Sequence, residues 1–166
     1  LADKLRHMKC EVTEMPGGVR VEGASGRPAA TDVTTHTYPG FPTDLQAQIM
    51  SLASIAEGIG VISEKIYPER FMHISELNRM GARIILEGST AIVKGVRKLS
   101  GARVMASDLR ASAALVLAGL VAEGSTEISR IYHLDRGYEH IEEKLSRVGA
   151  KVKREKEQKT VKEGAV

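Results

Sequence analysis

The hydrophobic positions of this chain follow two periods, one typical of helices and one typical of strands. Apolar residues recur every three or four positions across residues 45–56, and residues 108–121 are apolar on nearly all sides. The first pattern predicts a helix, and the second predicts a helix that is buried on most faces. Shorter helices are predicted over residues 74–80 and 138–148, each followed by the glycine that commonly ends a helix.

Between these helices, short alternating stretches bounded by Gly-rich turns predict strands and hairpins. The predicted strands cover residues 10–15, 19–23, 32–38, 61–66, 82–87, 91–94, 102–106 and 127–132. Residues 24–31 are predicted to be a linker. The charged stretch 151–163 is interpreted as a further hairpin, because residues 160–164 follow the same pattern as residues 19–23.

The predicted elements repeat with a period of roughly seventy residues, which indicates a reused supersecondary unit. Residues 43–47 and 107–111 open the two long helices with matching sequences, and an Arg lies fourteen positions after a matched Ala in both copies. We therefore expect βαβαββ repeats covering residues 1–23, 32–95 and 102–164. The first is cut short, so the chain is interpreted as a piece of a longer protein, with apolar helices packed inside three sheets.

Composition narrows the function classes without selecting one. The 166 residues are 42% hydrophobic and 4% aromatic, with a formal net charge of +3. This mildly basic balance suits anionic partners, either nucleic acid or a phosphorylated small molecule. No apolar run approaches the ~18 residues of a membrane span, so no membrane association is expected. The single Cys10 excludes an internal disulfide, fits a reducing compartment, and is predicted to be a small buried hydrophobic residue.

Two acids at predicted helix starts are candidates for site chemistry. Asp44 and its repeat partner Asp108 both lie where a carboxylate commonly caps a helix. The alternative for Asp44 is a rigidly held carboxylate that takes a proton from a substrate hydroxyl. Spacing alone favours the cap in both copies.

Three arginines in the repeats are candidates for anion binding. Arg110 lies close to the positive end of a predicted helix dipole, where an anionic partner would make its position favourable. Arg70 and Arg136 each follow an acid, so a surface ion pair is the ordinary interpretation. The alternative is a guanidinium that offers planar donors to phosphate or carboxylate.

Other site chemistries find little support. The five histidines lack metal-ligand spacing, and the Gly-rich segments match neither a phosphate-binding loop nor a dinucleotide fingerprint. Six Tyr and Phe residues offer few stacking platforms for nucleic acid. We expect no metal, no cofactor and no nucleic-acid partner.

Five segments together resemble the C-terminal part of the UDP-N-acetylglucosamine 1-carboxyvinyltransferase family of enolpyruvyl transferases. They occur in the family's order and spacing, at residues 38–48, 69–73, 99–102, 107–112 and 131–139. The resemblance implies an α/β (α+β) fold: an inside-out α/β barrel domain of βαβαββ repeats. This chain would supply residues 1–166 as most of one domain of a two-domain enzyme.

The resemblance also implies a function. Enzymes of this family transfer the enolpyruvyl group of phosphoenolpyruvate to the 3-hydroxyl of UDP-N-acetylglucosamine and release phosphate. This is the first committed step of cytoplasmic peptidoglycan synthesis, on which cell shape and division depend. The family's mobile loop, with its Cys or Asp proton donor, lies in the other domain and does not match Cys10. The chain alone is therefore expected to be inactive without the missing N-terminal domain.

The resemblance assigns roles to individual residues. Asp44 matches the proposed base at the 3-hydroxyl, and Arg136 matches an arginine that binds phosphoenolpyruvate. Asp108 and Arg110 match residues that close around the intermediate. Three further residues match substrate-binding positions of the family. Ile66 matches the residue whose backbone contacts the nucleotide sugar, Tyr67 matches the adjacent position, and Arg70 matches another arginine of the cluster.

Three alternatives remain open at this stage. The sister enzyme acting on shikimate 3-phosphate shares the fold and reaction type, although the Pro-Thr-Asp-Leu-Gln-Ala-Gln and Asp-Arg-Gly-Tyr-Glu sequences favour the nucleotide-sugar enzyme. A basic repeat module that binds RNA or DNA is a second alternative. A purely structural fragment is a third, and it is compatible with the main interpretation.

Overall fold

The computed structural model describes residues 1–155. Within them the helices are α1 Ala2–His7, α2 Gln46–Ser54, α3 His73–Arg79, α4 Leu109–Val121, α5 Tyr132–Asp135 and α6 Ile141–Arg147. The strands are β1 Glu11–Met15, β2 Gly18–Glu22, β3 Val33–Thr34, β4 Ile59–Ser63, β5 Arg83–Glu87, β6 Thr90–Lys94, β7 Arg103–Met105 and β8 Glu127–Ser129. A single 3₁₀ turn, Thr43–Leu45, leads directly into α2.

The strands form three separate sheets, as the repeat pattern predicts. β1 and β2 pair as a hairpin, the second sheet has the order β3-β4-β6-β5, and β7 pairs with β8. The pairs β3–β4 and β7–β8 are parallel, and each pair is joined through one long helix. Parallel neighbours need such a crossover, so β3-α2-β4 and β7-α4-β8 are two copies of one βαβ unit. Antiparallel β5 and β6 complete the first copy.

The hydrophobic core lies between the sheets, around α2 and α4. Small residues on both helices are buried, including Ala47, Ala53, Ala114 and Ala118. They let the two helix backbones approach closely, and the Ser51 hydroxyl of α2 donates a hydrogen bond to the Ala114 carbonyl of α4 at 2.8 Å. Larger buried residues fill the space toward the sheets, among them Met50, Ile62, Leu77, Met80, Leu99 and Leu115. The prediction of apolar helices packed inside the sheets is confirmed for α2 and for the first half of α4. Leu117, Leu120 and Val121 are 43%, 40% and 51% exposed, so the prediction that α4 is buried on most faces is wrong for its second half.

Several predicted elements are shorter in the structure. The strand predicted over residues 127–132 ends at Ser129, because Arg130 adopts a left-handed backbone with φ of 56° and Tyr132 already begins α5. The strand predicted over 32–38 is reduced to β3 because the chain turns back, with Gly40 N–H donating to the Thr37 carbonyl at 2.8 Å.

The C-terminal predictions need similar corrections. The helix predicted from residue 138 begins only at Ile141, since His140 has a φ of 44°. Residues 151–155 form no strand, and the rest of the predicted hairpin lies outside the described residues. Cys10 is only partly buried, because it lies at the turn between α1 and the edge of the two-stranded sheet.

The predicted linker is tied to the core by one arginine. The Arg27 guanidinium donates to three carbonyls, those of Ile55 at 3.0 Å, Ala56 at 2.6 Å and Val96 at 2.9 Å. Two of these carbonyls follow the end of α2, where backbone acceptors lack helical partners and a cation complements the helix dipole. No helix among residues 1–155 is long and apolar enough to cross a membrane.

Candidate functional site

Asp44 lies in the 3₁₀ turn before α2, and its carboxylate does not cap that helix. The helix has no side-chain cap, and the Asp44 side chain is 53% exposed. The 3₁₀ turn displaces the helix start beyond Asp44, so its oxygens point away from the free N–H groups of α2. The capping role predicted for Asp44 is therefore wrong.

Asp108 does cap its helix. Its Oδ1 accepts hydrogen bonds from the backbone N–H groups of Arg110 at 2.8 Å and Ala111 at 2.9 Å. Its extended backbone, with φ of −152° and ψ of 176°, is typical of a capping residue. The two matched acids thus occupy different local structures.

The Asp44 carboxylate is held between two guanidiniums, one from each repeat. Arg70 donates to Oδ1 at 3.0 Å, and Arg110 donates to Oδ2 at 2.7 Å. The hydrogen bond from Arg110 is the main cause that lowers the pKa of Asp44, and it raises the pKa of Arg110 in turn. Asp44 is therefore ionised at neutral pH. The predicted surface pair of Arg70 with its preceding acid does not form among residues 1–155.

These side chains border an open pocket of about 500 Å³ at the junction of the two repeats. Its lining consists of Tyr67, Glu69, Arg70, Met72, Asp108, Leu109, Arg110 and Arg136. Five of the seven site residues predicted from the sequence therefore line one concave surface. Asp44 is not part of the lining but contacts two lining residues, Arg70 and Arg110. Ile66 directly precedes Tyr67 and donates its backbone N–H to Glu64 Oε1 at 2.8 Å.

Arg136 reaches the pocket from the loop after α5. A Cβ at Gly137 would lie 2.8 Å from Leu109 Cδ2, so glycine lets this loop pack closely on the start of α4. Asp135 pairs with Arg154 at 2.6 Å rather than with Arg136, which corrects the ordinary interpretation of this acid. Within residues 1–155, the Arg136 guanidinium has no hydrogen-bond or ion-pair partner. It is available to an anion in the pocket.

Two buried polar residues near the site escaped the sequence analysis. Glu64 is 0% exposed and contacts the segments that carry Thr35, Thr43 and Tyr67. His73 is 1% exposed at the start of α3, and burial lowers its pKa to about 4, against the opposing charge of Asp108. A charged residue directly after the apolar strand β4 was the available signal for Glu64. No sequence signal identifies the burial of His73.

The arrangement suits an acidic ligand rather than a metal. Two guanidiniums hold the ionised Asp44 carboxylate, and a third, that of Arg136, lines the same pocket. Guanidinium groups bind phosphate and carboxylate by paired hydrogen bonds. Among residues 1–155, no group of three or more His, Cys, Asp or Glu side chains could hold a metal ion. Fold and site together define an α/β domain of repeated units, with internal helices and an arginine-lined pocket between the repeats.

The chain belongs to the EPSP synthase (3-phosphoshikimate 1-carboxyvinyltransferase) family, whose sequence profile matches residues 1–145. Two curated relatives, from Anaeromyxobacter sp. (strain Fw109-5) and Desulfovibrio desulfuricans, are named UDP-N-acetylglucosamine 1-carboxyvinyltransferase. The first is 60% identical over 156 residues, 94% of this chain, and the second is 60% identical over 154 residues, 93% of this chain. The chain spans 37% of the length of each.

Solved structures agree with the fold. The enolpyruvyl transferase NikO from Streptomyces tendae has a TM-score of 0.81 and 30% identity, covering 89% of this chain and 34% of that one. An EPSP synthase from Acinetobacter baumannii has a TM-score of 0.63 and 21% identity, covering 90% of this chain and 35% of that one, and shows the fold alone. The predicted α/β architecture of enolpyruvyl transferase-like repeats is confirmed.

Proposed function

We propose that this chain is the C-terminal part of a UDP-N-acetylglucosamine 1-carboxyvinyltransferase. The enzyme would transfer the enolpyruvyl group of phosphoenolpyruvate to the 3-hydroxyl of UDP-N-acetylglucosamine, in the cytoplasm, at the start of peptidoglycan synthesis. The observation that carries this proposal is the Asp44 carboxylate between Arg70 and Arg110, beside a pocket that Arg136 also lines. The names of the relatives at 60% identity support the nucleotide sugar over shikimate 3-phosphate as acceptor.

The arginines are proposed to bind the anionic groups of phosphoenolpyruvate. Arg136 would contact its phosphate, and Arg70 and Arg110 would stabilise charge on the phosphate and carboxylate as the intermediate forms. Preorganised cations are effective because they need not reorient during the reaction. Asp108 would act mainly by fixing the start of α4, from which Arg110 projects. Ile66 and Tyr67 would contact the nucleotide sugar from the loop after β4.

Asp44 is proposed to accept the proton of the sugar 3-hydroxyl. The hydroxyl oxygen bonds to C2 of phosphoenolpyruvate while the methylene carbon gains a proton, which gives a tetrahedral intermediate. Phosphate then leaves with cleavage of its C–O bond, and the methyl group loses a proton. In the free pocket Asp44 is a weak base, since Arg110 and Arg70 lower its pKa. An anion that draws these guanidiniums away would raise its basicity when the substrate is in place.

The acid that protonates the methylene carbon is proposed to come from the other domain. The chain spans only 37% of its curated relatives, which leaves room for such a contribution. The 166-residue chain by itself is accordingly expected to show no transfer activity.

A chimera provides the test. The matching 156-residue segment of the Anaeromyxobacter relative is replaced by the corresponding part of this chain. Phosphate release from phosphoenolpyruvate is then measured with UDP-N-acetylglucosamine or with shikimate 3-phosphate as acceptor. We expect activity with the nucleotide sugar only, and its loss in the Arg136→Ala variant. A well-folded but inactive chimera, or a preference for shikimate 3-phosphate, would refute the proposal.

A further inference from the structure

Glu64 is a carboxylate buried at the centre of a hydrogen-bond network next to the pocket. Its Oε1 accepts from the Thr35 hydroxyl at 2.6 Å and from the backbone N–H groups of Ile66 at 2.8 Å and Tyr67 at 3.0 Å. Its Oε2 accepts from the Thr43 hydroxyl at 2.9 Å. Burial by itself raises the pKa of this carboxyl, but the four hydrogen bonds together lower it. Glu64 is therefore buried in its charged form.

The network joins three segments that are distant in the sequence. Thr35 directly follows β3, Thr43 opens the 3₁₀ turn that carries Asp44, and Tyr67 belongs to the loop after β4. A buried carboxylate costs free energy unless each partner is well placed, so it strongly restrains the segments that donate to it. The backbone that presents Asp44 and the backbone that presents Tyr67 are thus fixed to the same side chain.

Within residues 1–155, the Arg70 guanidinium has two partners besides Asp44, and both are hydrogen-bonded to Glu64. Its Nη1 donates a hydrogen bond to Thr43 Oγ1 at 3.1 Å, and the Thr43 hydroxyl in turn donates to Glu64 Oε2. On the other side, the guanidinium lies over the ring of Tyr67, 4.5 Å from the ring centre. The backbone N–H of Tyr67 is held by the same Oε1. The direction of Arg70 is therefore set by partners that Glu64 orients.

We propose that Glu64 is a positioning residue for the transfer reaction: acting through Thr43 and Tyr67, it holds Arg70 ready for the anionic substrate. The inference rests on the proposed function. Glu64 itself is fully buried and touches no substrate. Thr43 is the part of this network that can be changed most cleanly, because Glu64 keeps its other three hydrogen bonds when the Thr43 hydroxyl is removed.

The test compares three variants in the active chimera. Thr43→Val removes the hydroxyl between Glu64 and Arg70, and Thr43→Ser restores it. Thr90→Val is the matched control, since it removes a half-buried hydroxyl that pairs with Ser63 at 3.1 Å and has no contact with Arg70. We expect Thr43→Val to raise the KM for phosphoenolpyruvate about tenfold, the order for loss of one hydrogen bond to a charged group. The KM for the nucleotide sugar should change less than twofold, and Thr43→Ser should recover most of the loss.

The outcomes separate positioning from mere structural support. A loss of stability alone would change both KM values little and would appear equally in Thr90→Val. An unchanged KM for phosphoenolpyruvate in Thr43→Val, or equal effects of Thr43→Val and Thr90→Val, would overturn the inference. If Thr43→Val does not fold, Thr43→Cys carries the test, because its thiol is similar in size but a weaker hydrogen-bonding group. It should give an intermediate KM, and a wild-type value would overturn the inference.

A binding assay keeps this inference distinct from the proposed function. Inorganic phosphate is titrated into the 166-residue chain and followed by ³¹P NMR. We expect about tenfold weaker binding in Thr43→Val than in the wild type and Thr90→Val. An inactive wild-type chimera with this binding difference would refute the proposed reaction, while the positioning of Arg70 for an anionic ligand would still stand. Equal phosphate binding by all three proteins would refute the positioning role.

Discussion

We expect His73 to make the stability of this fold sensitive to mild acid. The side chain is 1% exposed at the start of α3, and its Nε2 has no hydrogen-bond partner among the described residues. Burial favours the neutral imidazole and lowers its pKa from 6.5 to about 4, although the negative charge of Asp108 acts in the opposite direction. The perturbation we consider is His73→Phe, which keeps a planar ring and removes the ionisation.

The magnitude follows from the difference between the folded and unfolded pKa values. Between pH 6.5 and about 4 the unfolded chain binds more protons than the folded one, so stability falls as the pH falls. From pH 7 to pH 5 this linkage amounts to about 2 kcal/mol of unfolding free energy. The folded state lowers the pKa values of Asp44 and Glu64 below their ordinary values of 3.8 and 4.5. These two carboxyls therefore contribute little to the change in unfolding free energy above pH 5.

Urea denaturation at pH 7, 6 and 5 measures this effect. The wild type should lose about 2 kcal/mol across the series, whereas His73→Phe should lose much less. At pH 7 the variant should be about as stable as the wild type, because Nε2 of His73 makes no hydrogen bond among residues 1–155. His36→Gln is the control: His36 is exposed, so this variant should follow the wild type. A wild type whose stability is flat from pH 7 to pH 5, or a His73→Phe variant with the same slope, would refute the reasoning.

Other substitutions test the remaining features. Arg27→Met should lower the unfolding free energy by about 3 kcal/mol, because three half-buried carbonyls lose a charged donor. Thermal unfolding would measure this loss, and Arg27→Lys should recover only part of the lost stability. Asp108→Ala should cost about 1 kcal/mol of stability while Asp108→Asn, still a good cap, costs less, and equal losses in urea denaturation would contradict the capping role. Asp44→Asn should abolish transfer in the chimera. It should also strengthen phosphate binding to the isolated chain, since the Arg70 and Arg110 guanidiniums lose their ion pairs with Asp44. Weaker phosphate binding of the variant in calorimetry would contradict this prediction.

Local patterns predicted the fold well where short-range signals decide it. The helix over residues 74–80 appears as α3, and Gly81 follows it with a φ of 89°. The hairpins β1–β2 and β5–β6 are likewise present, because alternation and Gly-rich turns act within a few residues. Errors arose where the backbone turns without a glycine signal, as at Arg130 and His140.

The sequence predicted several residues that the fold brings together, but not the contacts between them; their roles in binding and catalysis stay predictions. The repeat and the family resemblance named five of the eight residues that line the pocket, and did not name Glu69, Met72 or Leu109 as site residues. Spacing could not reveal that Asp44 and Arg110, 66 positions apart, share an ion pair. It also could not reveal that Glu64 reaches Thr35 across 29 positions. Such contacts depend on how β3, β4 and the two long helices assemble, which no local pattern specifies.

Asp44 and Asp108 occupy matching positions of the repeat but have different local structures, and this bears on how the repeated unit could diversify. Asp108 caps its own helix. Asp44 lies in a 3₁₀ turn, does not cap α2, and instead forms ion pairs with one arginine from each copy. The duplicated position is thus a helix cap in one copy and an ion-paired carboxylate in the other. A substitution at Asp44 therefore removes no cap from α2, so this position can vary at a lower cost in helix stability than Asp108.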